Sequence, residues 1–403
     1  MKVYSEKIYT PDGIINGTMV FENGKIVDIH EGKDADAIDE SGKIIIPGVI
    51  DTHNHGGFGY SYQPGITDEE VDRLLLADAS RGITGTFPTM FSSQKEVGGF
   101  KAAARAAKRK PRGARVLGIH SEGPWGSRVG EKGINTGYPA VDLDYARAML
   151  EAGDGWLKLV AIAPEVDHAD EAIHFFKDHG VKMAMFHTNA TYKEAMHGIE
   201  QGIDVATHLG NVMTGLHHRD IGAFGAGLTT PSVTCEVICD GFHVCNEMLA
   251  LILKFKEQDQ IVMISDNVEY AGLPAGNYRN LREAEGSDRA ITTVTEDGRI
   301  LSMTGRLGGS GLSVLYDVSN LVRNVGLPLE QVVPYFSKNP ARVYGLEGKG
   351  NLAPGYDADF VVIDEDFQVQ STWVEGEKVY DAQTDTVPMN EAFIQSTRIP
   401  DEK

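Results

Sequence analysis

Short apolar segments alternate with amphipathic segments along most of the chain, and this alternation predicts strands and helices in turn. The first apolar segment is hydrophobic almost throughout rather than at every second position, which is typical of parallel strands covered on both faces. Seven further segments of the same kind follow it. The eight predicted strands are residues 44–52, 83–90, 115–120, 156–163, 181–187, 204–208, 234–239 and 261–265.

Helical segments separate most of these strands. Thr67 and Glu70 form a capping-box pattern at the start of an apolar stripe with helical spacing. Residues 167–179, 191–202 and 246–258 have a similar periodicity. Eight strands that alternate with helices predict an α/β fold, namely a TIM-like (β/α)8 barrel. A doubly wound open sheet is the alternative, but no Gly-x-Gly-x-x-Gly follows the first strand.

The two ends of the chain have another pattern, in which apolar and polar residues alternate over short segments. Asn23-Gly24 lies between two such segments and predicts a β-hairpin over residues 20–27. Neither end is long enough for a stable core alone, so we predict that both ends build one small β-sandwich domain. The predicted small domain contains residues 1–47 and 351–403, and the predicted barrel contains residues 48–350. Within the barrel, the charged segment 267–308 is predicted to form a mobile or hairpin-bearing loop over the barrel mouth.

Composition narrows the possible functions. The formal net charge of −21 over 403 residues argues against binding to nucleic acid or anionic membranes, because both need basic patches. No segment approaches the length of a membrane-spanning helix, and the first residues lack the apolar region of a signal peptide. Cys235, Cys239 and Cys245 are odd in number and close together, which favours a reducing compartment. We therefore expect a cytoplasmic protein without nucleic-acid or membrane partners.

Residues of metal-ligating types stand where several predicted strands end. TIM-barrel active sites lie at the C-terminal ends of the strands, so these side chains are expected to converge. One such histidine alone is more often a structural, hydrogen-bonded group than a metal ligand, but the whole set favours a metal site. Imidazole and carboxylate groups hold Zn²⁺ or Fe²⁺ while leaving a position open for water. The residues are His53, His55, Glu122, His187, His208 and Asp266.

In their order along the chain, these motifs resemble the amidohydrolase superfamily. Within it the chain is similar to the N-acetylglucosamine-6-phosphate deacetylases. The resemblance covers roughly residues 1–380 and implies a metal-dependent hydrolase barrel that acts on an amide. The stretches that carry it include His53-x-His55, Glu122-Gly123-Pro124, Thr207-His208-Leu209-x-Asn211, His217-His218-Arg219-Asp220, Asp240-Gly241-Phe242-His243 and Ser265-Asp266.

The resemblance implies a role for each site residue. Glu122, His187 and His208 would ligate a principal metal ion. His53 and His55 would hold a second ion and share Glu122 with the first. Asp266 would be the catalytic acid and base. The residues expected to contact the substrate are Asn211, the backbone near Val212, Arg219, His243, and Asn135, which stands where the family has a histidine facing the substrate carbonyl.

The predicted reaction is hydrolysis of the acetamide of an N-acetyl-hexosamine 6-phosphate, with N-acetylglucosamine 6-phosphate as first choice. The cofactor would be one or two divalent transition-metal ions, Zn²⁺ or Fe²⁺, and we expect a homodimer. A metal ion lowers the pKa of bound water to about 7, and Asp266 can take the proton and deliver it to the departing amine. The alternatives are the N-acetylgalactosamine epimer, a dihydroorotase-like or aminoacylase-like amidohydrolase, and a non-catalytic sugar-phosphate-binding protein, which the intact Asp266 disfavours.

Overall fold

The computed structural model describes residues 1–91, 96–130, 138–284 and 286–400. At its centre is a parallel barrel whose eight strands follow one another in chain order, each paired with the next. The barrel closes where the backbone N–H of Asp266 donates to the His53 carbonyl at 2.9 Å and that of His55 donates to the Asn267 carbonyl at 2.8 Å. The predicted TIM-like barrel is confirmed. Its strands are Val49–Asn54, Ile83–Phe91, Ile119–Trp125, Leu157–Ile162, Lys182–Met185, Ile203–Ala206, Thr234–Val237 and Ile261–Met263.

A helix follows each barrel strand. The capping box is present, since the Thr67 side chain accepts from the Glu70 N–H while the Glu70 carboxylate accepts from the Thr67 N–H. Within the described ranges, none of the helices is both long and apolar enough to cross a membrane. The helices after the eight strands are Asp68–Ala79, Gly98–Arg109, Leu143–Gly153, Ala169–Asp178, Tyr192–Gln201, Gly222–Thr229, Asn246–Phe255 and Val314–Asn320; Leu329–Phe336, Lys338–Val343 and Glu391–Thr397 come later.

Two predicted strands are each divided in the structure, whereas the other six differ from it by at most two residues at either end. The segment 44–52 is two strands, because Ile44–Pro47 pairs with strands of the small domain and the barrel begins only at Val49. Gly48 lies between them, and a Cβ there would come within 2.1 Å of the Thr84 Oγ1, so only glycine allows the chain to pass from one sheet to the other at this point. The segment 115–120 is also divided, and the third barrel strand, Ile119–Trp125, extends beyond Glu122.

Both ends of the chain contribute to a second, eight-stranded sheet. The predicted hairpin is present, with Asn23 and Gly24 in left-handed conformations between its strands. Phe21 and Trp373 lie on strands with three others between them in the sheet order, yet their ring centroids are 5.7 Å apart. Because adjacent strands are about 4.8 Å apart, the sheet must curl over itself, as a sandwich requires. Its strands are Lys2–Thr10, Gly13–Glu22, Lys25–Glu31, Ile38–Asp39, Ile44–Pro47, Phe360–Ile363, Val369–Val374 and Glu377–Asp381. The division at 47/48 and 350/351 stays a prediction.

The segment 267–308 bears hairpins, as predicted. Three antiparallel strands, Gly276–Arg279, Ile291–Val294 and Ile300–Ser302, form a sheet that Arg398–Ile399 extends at one edge. Buried apolar side chains of the same segment, among them Tyr278, form a small core of their own. The segment is therefore a packed element of the structure.

Candidate functional site

The six predicted metal-type residues lie together where the barrel strands end. Their ligand atoms form two groups, each with all its atoms within 4.8 Å of one another. The side chains range from fully buried for His53 to 16% exposed for Asp266. The first group is His53, His55 and Asp266, and the second is Glu122, His187 and His208.

Glu122 belongs to the second group and faces the first group as well. Its Oε1 is 2.9 Å from the His208 Nε2 and 3.3 Å from the His187 Nε2. Its other oxygen, Oε2, is 3.1 Å from the His55 Nε2 and 3.8 Å from the His53 Nε2. One carboxylate thus presents an oxygen to each group, which is the arrangement that a ligand shared by two ions needs.

Three of the site residues have left-handed backbone conformations. The φ angles are 37° for His187, 34° for His208 and 52° for Asp266. Non-glycine residues rarely adopt this region, at a cost of about 1–3 kcal/mol each, and such strain clusters at functional sites. Each of these residues follows the end of a barrel strand by two or three positions, so the strain is concentrated at the rim that carries the ligands.

Hydrogen bonds determine which ring nitrogen carries the proton in His55 and His53. The His55 Nδ1 is 3.1 Å from the Thr89 carbonyl oxygen, which can only accept. The His53 Nδ1 is 3.1 Å from the Thr207 Oγ1, whose single hydrogen is donated to Glu236 at 2.5 Å. In both rings Nδ1 is therefore a donor, and Nε2 is the nitrogen that faces the ligand group.

These two Nε2 atoms are 3.1 Å apart. The Oδ1 of Asp266 lies 3.4 Å from the His55 Nε2 and 3.5 Å from the His53 Nε2, and the Glu122 Oε2 faces both as well. Four acceptor atoms at such distances repel one another unless a cation or a proton lies among them. Imidazole nitrogens and carboxylate oxygens are ligands that Zn²⁺ and Fe²⁺ accept, so the residues present fit a divalent metal ion.

The electrostatics of the site favour positive charge at its centre. Burial lowers the pKa of His55, but hydrogen bonds to Asp266 and Glu122 outweigh it and raise the pKa to about 10. Burial raises the pKa of Glu122, yet hydrogen bonds from His187, His208 and the other two histidines hold it well below its usual range. Burial likewise raises the pKa of Asp266, and the His55 hydrogen bond with the nearby His53 keeps it below its usual value. Asp266 is thus ionised at neutral pH.

Three side chains beside the two ligand groups were not among the predicted site residues. The Tyr138 hydroxyl is 2.5 Å from the His187 Nδ1. His120 is fully buried beside His53, with ring centroids 4.6 Å apart, and neither of its ring nitrogens has a hydrogen-bond partner in the described part of the chain. Glu236 could have been found from the sequence, because it is a charged residue within the apolar segment 234–239 and a buried charge needs specific partners.

Two of the predicted substrate residues are tied to the backbone near the two ligand groups. The Asn211 side-chain amide donates to the His208 carbonyl at 3.2 Å. Val212 has a φ of 50°, and its carbonyl accepts from the Thr188 N–H at 3.1 Å. The predicted carbonyl-facing residue, Asn135, lies outside the described residues.

Arg219 and His243 lie in loops that follow the sixth and seventh barrel strands. Arg219 is exposed, just before the helix Gly222–Thr229, and forms no ion pair with any residue that the structure describes. His243 binds the Asp240 Oδ2 through Nδ1 at 2.7 Å. Its Nε2 is buried and has no hydrogen-bond partner within the described ranges. A free guanidinium and a free imidazole nitrogen are both suited to contact an anionic or hydroxylated ligand.

Comparisons with known proteins identify relatives of the chain. The profile of the amidohydrolase family matches residues 44–379. An N-acetylgalactosamine-6-phosphate deacetylase of Escherichia coli is 32% identical over 340 residues, covering 83% of this chain and 87% of that protein. An N-acetylglucosamine-6-phosphate deacetylase of Vibrio furnissii is 30% identical over 401 residues, covering 97% and 96%. The crystal structure of N-acetyl-D-glucosamine-6-phosphate deacetylase from Mycobacterium smegmatis superposes with a TM-score of 0.85 at 28% identity, covering 94% of this chain and 100% of that one.

Proposed function

Since the chain belongs to the amidohydrolase family, we propose that it is a metal-dependent hydrolase that removes the acetyl group from an N-acetyl-hexosamine 6-phosphate. The products are the amino-sugar phosphate and acetate. The observation that carries this proposal is the pair of ligand groups that Glu122 connects, one of which includes Asp266. Relatives that match nearly the whole chain are deacetylases of such sugar phosphates.

In this mechanism the protein positions the reacting groups and moves one proton. The two ligand groups would hold divalent ions, and such ions would supply a water nucleophile of lowered pKa, about 7. Asp266 accepts the proton of that water and delivers it to the amine as the amide bond breaks. Its backbone is fixed on both sides, because its N–H donates to the His53 carbonyl and its carbonyl accepts from the Ser310 N–H at 2.8 Å. Binding of the distant phosphate helps to orient the amide.

N-acetylglucosamine 6-phosphate is the first substrate under this proposal, and the galacto epimer is the alternative, which the Escherichia coli relative supports. The test is amine release from both epimers, their unphosphorylated forms and other N-acyl amino-sugar phosphates, with Zn²⁺, Fe²⁺, Co²⁺ or Mn²⁺ added in turn. We expect release from at least one phosphorylated N-acetyl-hexosamine, and the ratio of kcat/KM for the two epimers identifies the preferred sugar. Absence of release from every phosphorylated compound with every metal would exclude the function.

Arg219→Ala should weaken catalysis on the phosphorylated sugar by about ten- to a hundredfold in kcat/KM, since a lost charge-assisted contact is worth about 1.5–3 kcal/mol. The unphosphorylated analogue should be affected much less, because it has no phosphate for Arg219 to bind. Steady-state kinetics on both compounds measure the difference. Arg147→Ala is the matched control, as Arg147 is exposed on the helix Leu143–Gly153, where it forms an ion pair with Asp144 and lies 5.9 Å from the centroid of the Phe175 ring. Equal losses on both sugars would refute the phosphate role.

The proposal extends to the cofactor, the compartment and the assembly. The mixture of imidazole and carboxylate ligands suits Zn²⁺ or Fe²⁺, one or two per chain. Cys235, Cys239 and Cys245 are all free thiols, as expected in the cytoplasm. The homodimer stays a prediction that sedimentation of the purified protein can test.

A further inference from the structure

Glu236 is a fully buried carboxylate on the seventh barrel strand, Thr234–Val237. It accepts three hydroxyl hydrogen bonds. The Thr52 Oγ1 at 2.6 Å and the Tyr344 hydroxyl at 2.8 Å donate to its Oε1, and the Thr207 Oγ1 donates to its Oε2 at 2.5 Å. In the described part of the chain it has no lysine or arginine partner, and its only basic neighbour is His53, whose Nδ1 is 4.0 Å from Oε2. Burying a charge without a cationic partner costs free energy. A functional role would explain why a carboxylate occupies this position.

The connection to the metal centre runs through Thr207. A hydroxyl has one hydrogen and a carboxylate has none, so at 2.5 Å the hydrogen must lie on Thr207 and point to Glu236. The lone pairs of the Thr207 Oγ1 then face the His53 Nδ1 at 3.1 Å. This requires a hydrogen on Nδ1 and leaves the lone pair of Nε2 towards the ligand group. Without the carboxylate, the Thr207 hydroxyl would be free to donate to Nδ1, and the ring hydrogen would move to Nε2.

The same carboxylate also fixes the chain next to two ligands. Thr52 precedes His53 and Thr207 precedes His208, so Glu236 joins the ends of the first and sixth barrel strands. Hydrogen-bond partners of metal-bound histidines generally control ring orientation and tautomer in this way.

We propose that Glu236, acting through Thr207, is a positioning residue that holds His53 in the tautomer able to ligate a second metal ion. The proposal rests on the proposed function only in taking the two ligand groups as metal sites. If the proposal is correct, the protein binds two ions. The ion site of His53 and His55 then depends on Glu236, which contacts neither ion.

The experiment is a titration of metal-free protein with Zn²⁺ alone against a competing chelator, with total zinc measured on the purified samples. The wild type should bind two ions. Thr207→Val, which keeps the shape but removes the acceptor, and Glu236→Met, which removes the carboxylate, should each weaken one of the two ions by about 10- to 100-fold, as is typical for outer partners of ligating histidines. The other ion should be bound with unchanged affinity.

Two further variants separate positioning from packing. Thr207→Ser keeps the hydroxyl and should bind both ions within about threefold of the wild type, well below the effect of losing the outer partner. Tyr344→Phe removes a hydrogen bond from the same carboxylate without interrupting the path to His53, and it too should bind both ions. Circular dichroism confirms that each variant is folded.

The proposal is overturned if the wild type binds one ion, if Thr207→Val and Glu236→Met bind both with unchanged affinity, or if Tyr344→Phe loses an ion to the same extent as they do. Since the titration contains no sugar, its result is independent of the reaction. A wild type that binds two ions but releases no amine from any sugar phosphate would refute the proposed function and leave this inference standing.

Discussion

Asp266→Asn should lower kcat by about 10²–10⁴, the range typical of general acid–base groups. Asparagine has the same shape and tolerates the left-handed conformation that Asp266 adopts with φ of 52°. The backbone hydrogen bonds to His53 and Ser310 do not involve the side chain and should persist. The amide, however, cannot accept the proton of the attacking water. Steady-state kinetics on the preferred sugar phosphate measure the loss.

Metal content must be measured on the same variant, because the Asp266 Oδ1 lies close to His55 and His53, as a ligand would. Loss of kcat with the metal retained supports proton transfer, whereas loss of both makes Asp266 chiefly a ligand. Asp178→Asn, the same chemical change on the exposed end of the helix Ala169–Asp178, should alter neither quantity. If Asp266→Asn keeps more than about a tenth of kcat with its metal, well short of the expected loss, the proton-transfer role is wrong, and His243 becomes the first alternative.

His208→Ala should remove the ion held with Glu122 and His187, and catalysis with it. Two protein ligands would remain in that group, fewer than the three that catalytic zinc sites usually have. Because this change removes a ligand and not an outer partner, the affinity should fall by more than the roughly 100-fold upper figure for outer partners. Elemental analysis and chelator competition measure the effect.

The matched control for this variant is His174→Ala, which removes an exposed histidine whose ring binds Gln201. Its metal content and kcat should equal those of the wild type. Full metal occupancy in His208→Ala would contradict the ligand assignment. Loss of metal in both variants would point to general destabilisation, which thermal unfolding would reveal.

The convergence of the six metal-type residues could be predicted from the sequence because a TIM barrel brings every strand end to one rim. His187 and His208 belong to different strand–helix units, but each follows a short apolar strand. That position was sufficient to predict that both side chains lie at the same rim of the barrel. The limits of the first strand could not be predicted in this way. The apolar run 44–52 has the same character in both sheets, and the crossing at Gly48 depends on its contact with Thr84.

By itself, the sequence determined the order of strands and helices, and hence the barrel, because these follow from local periodicity and end signals. It also determined which residue types stand at the rim. Only the tertiary structure decided how Glu122 is shared between the two groups and which nitrogen of His53 faces them. The physical reason is that hydrogen bonds and metal sites depend on distances of a few ångströms between residues far apart in the chain. Glu236 meets Thr52 across 184 positions and Tyr344 across 108, and no local pattern encodes such a contact.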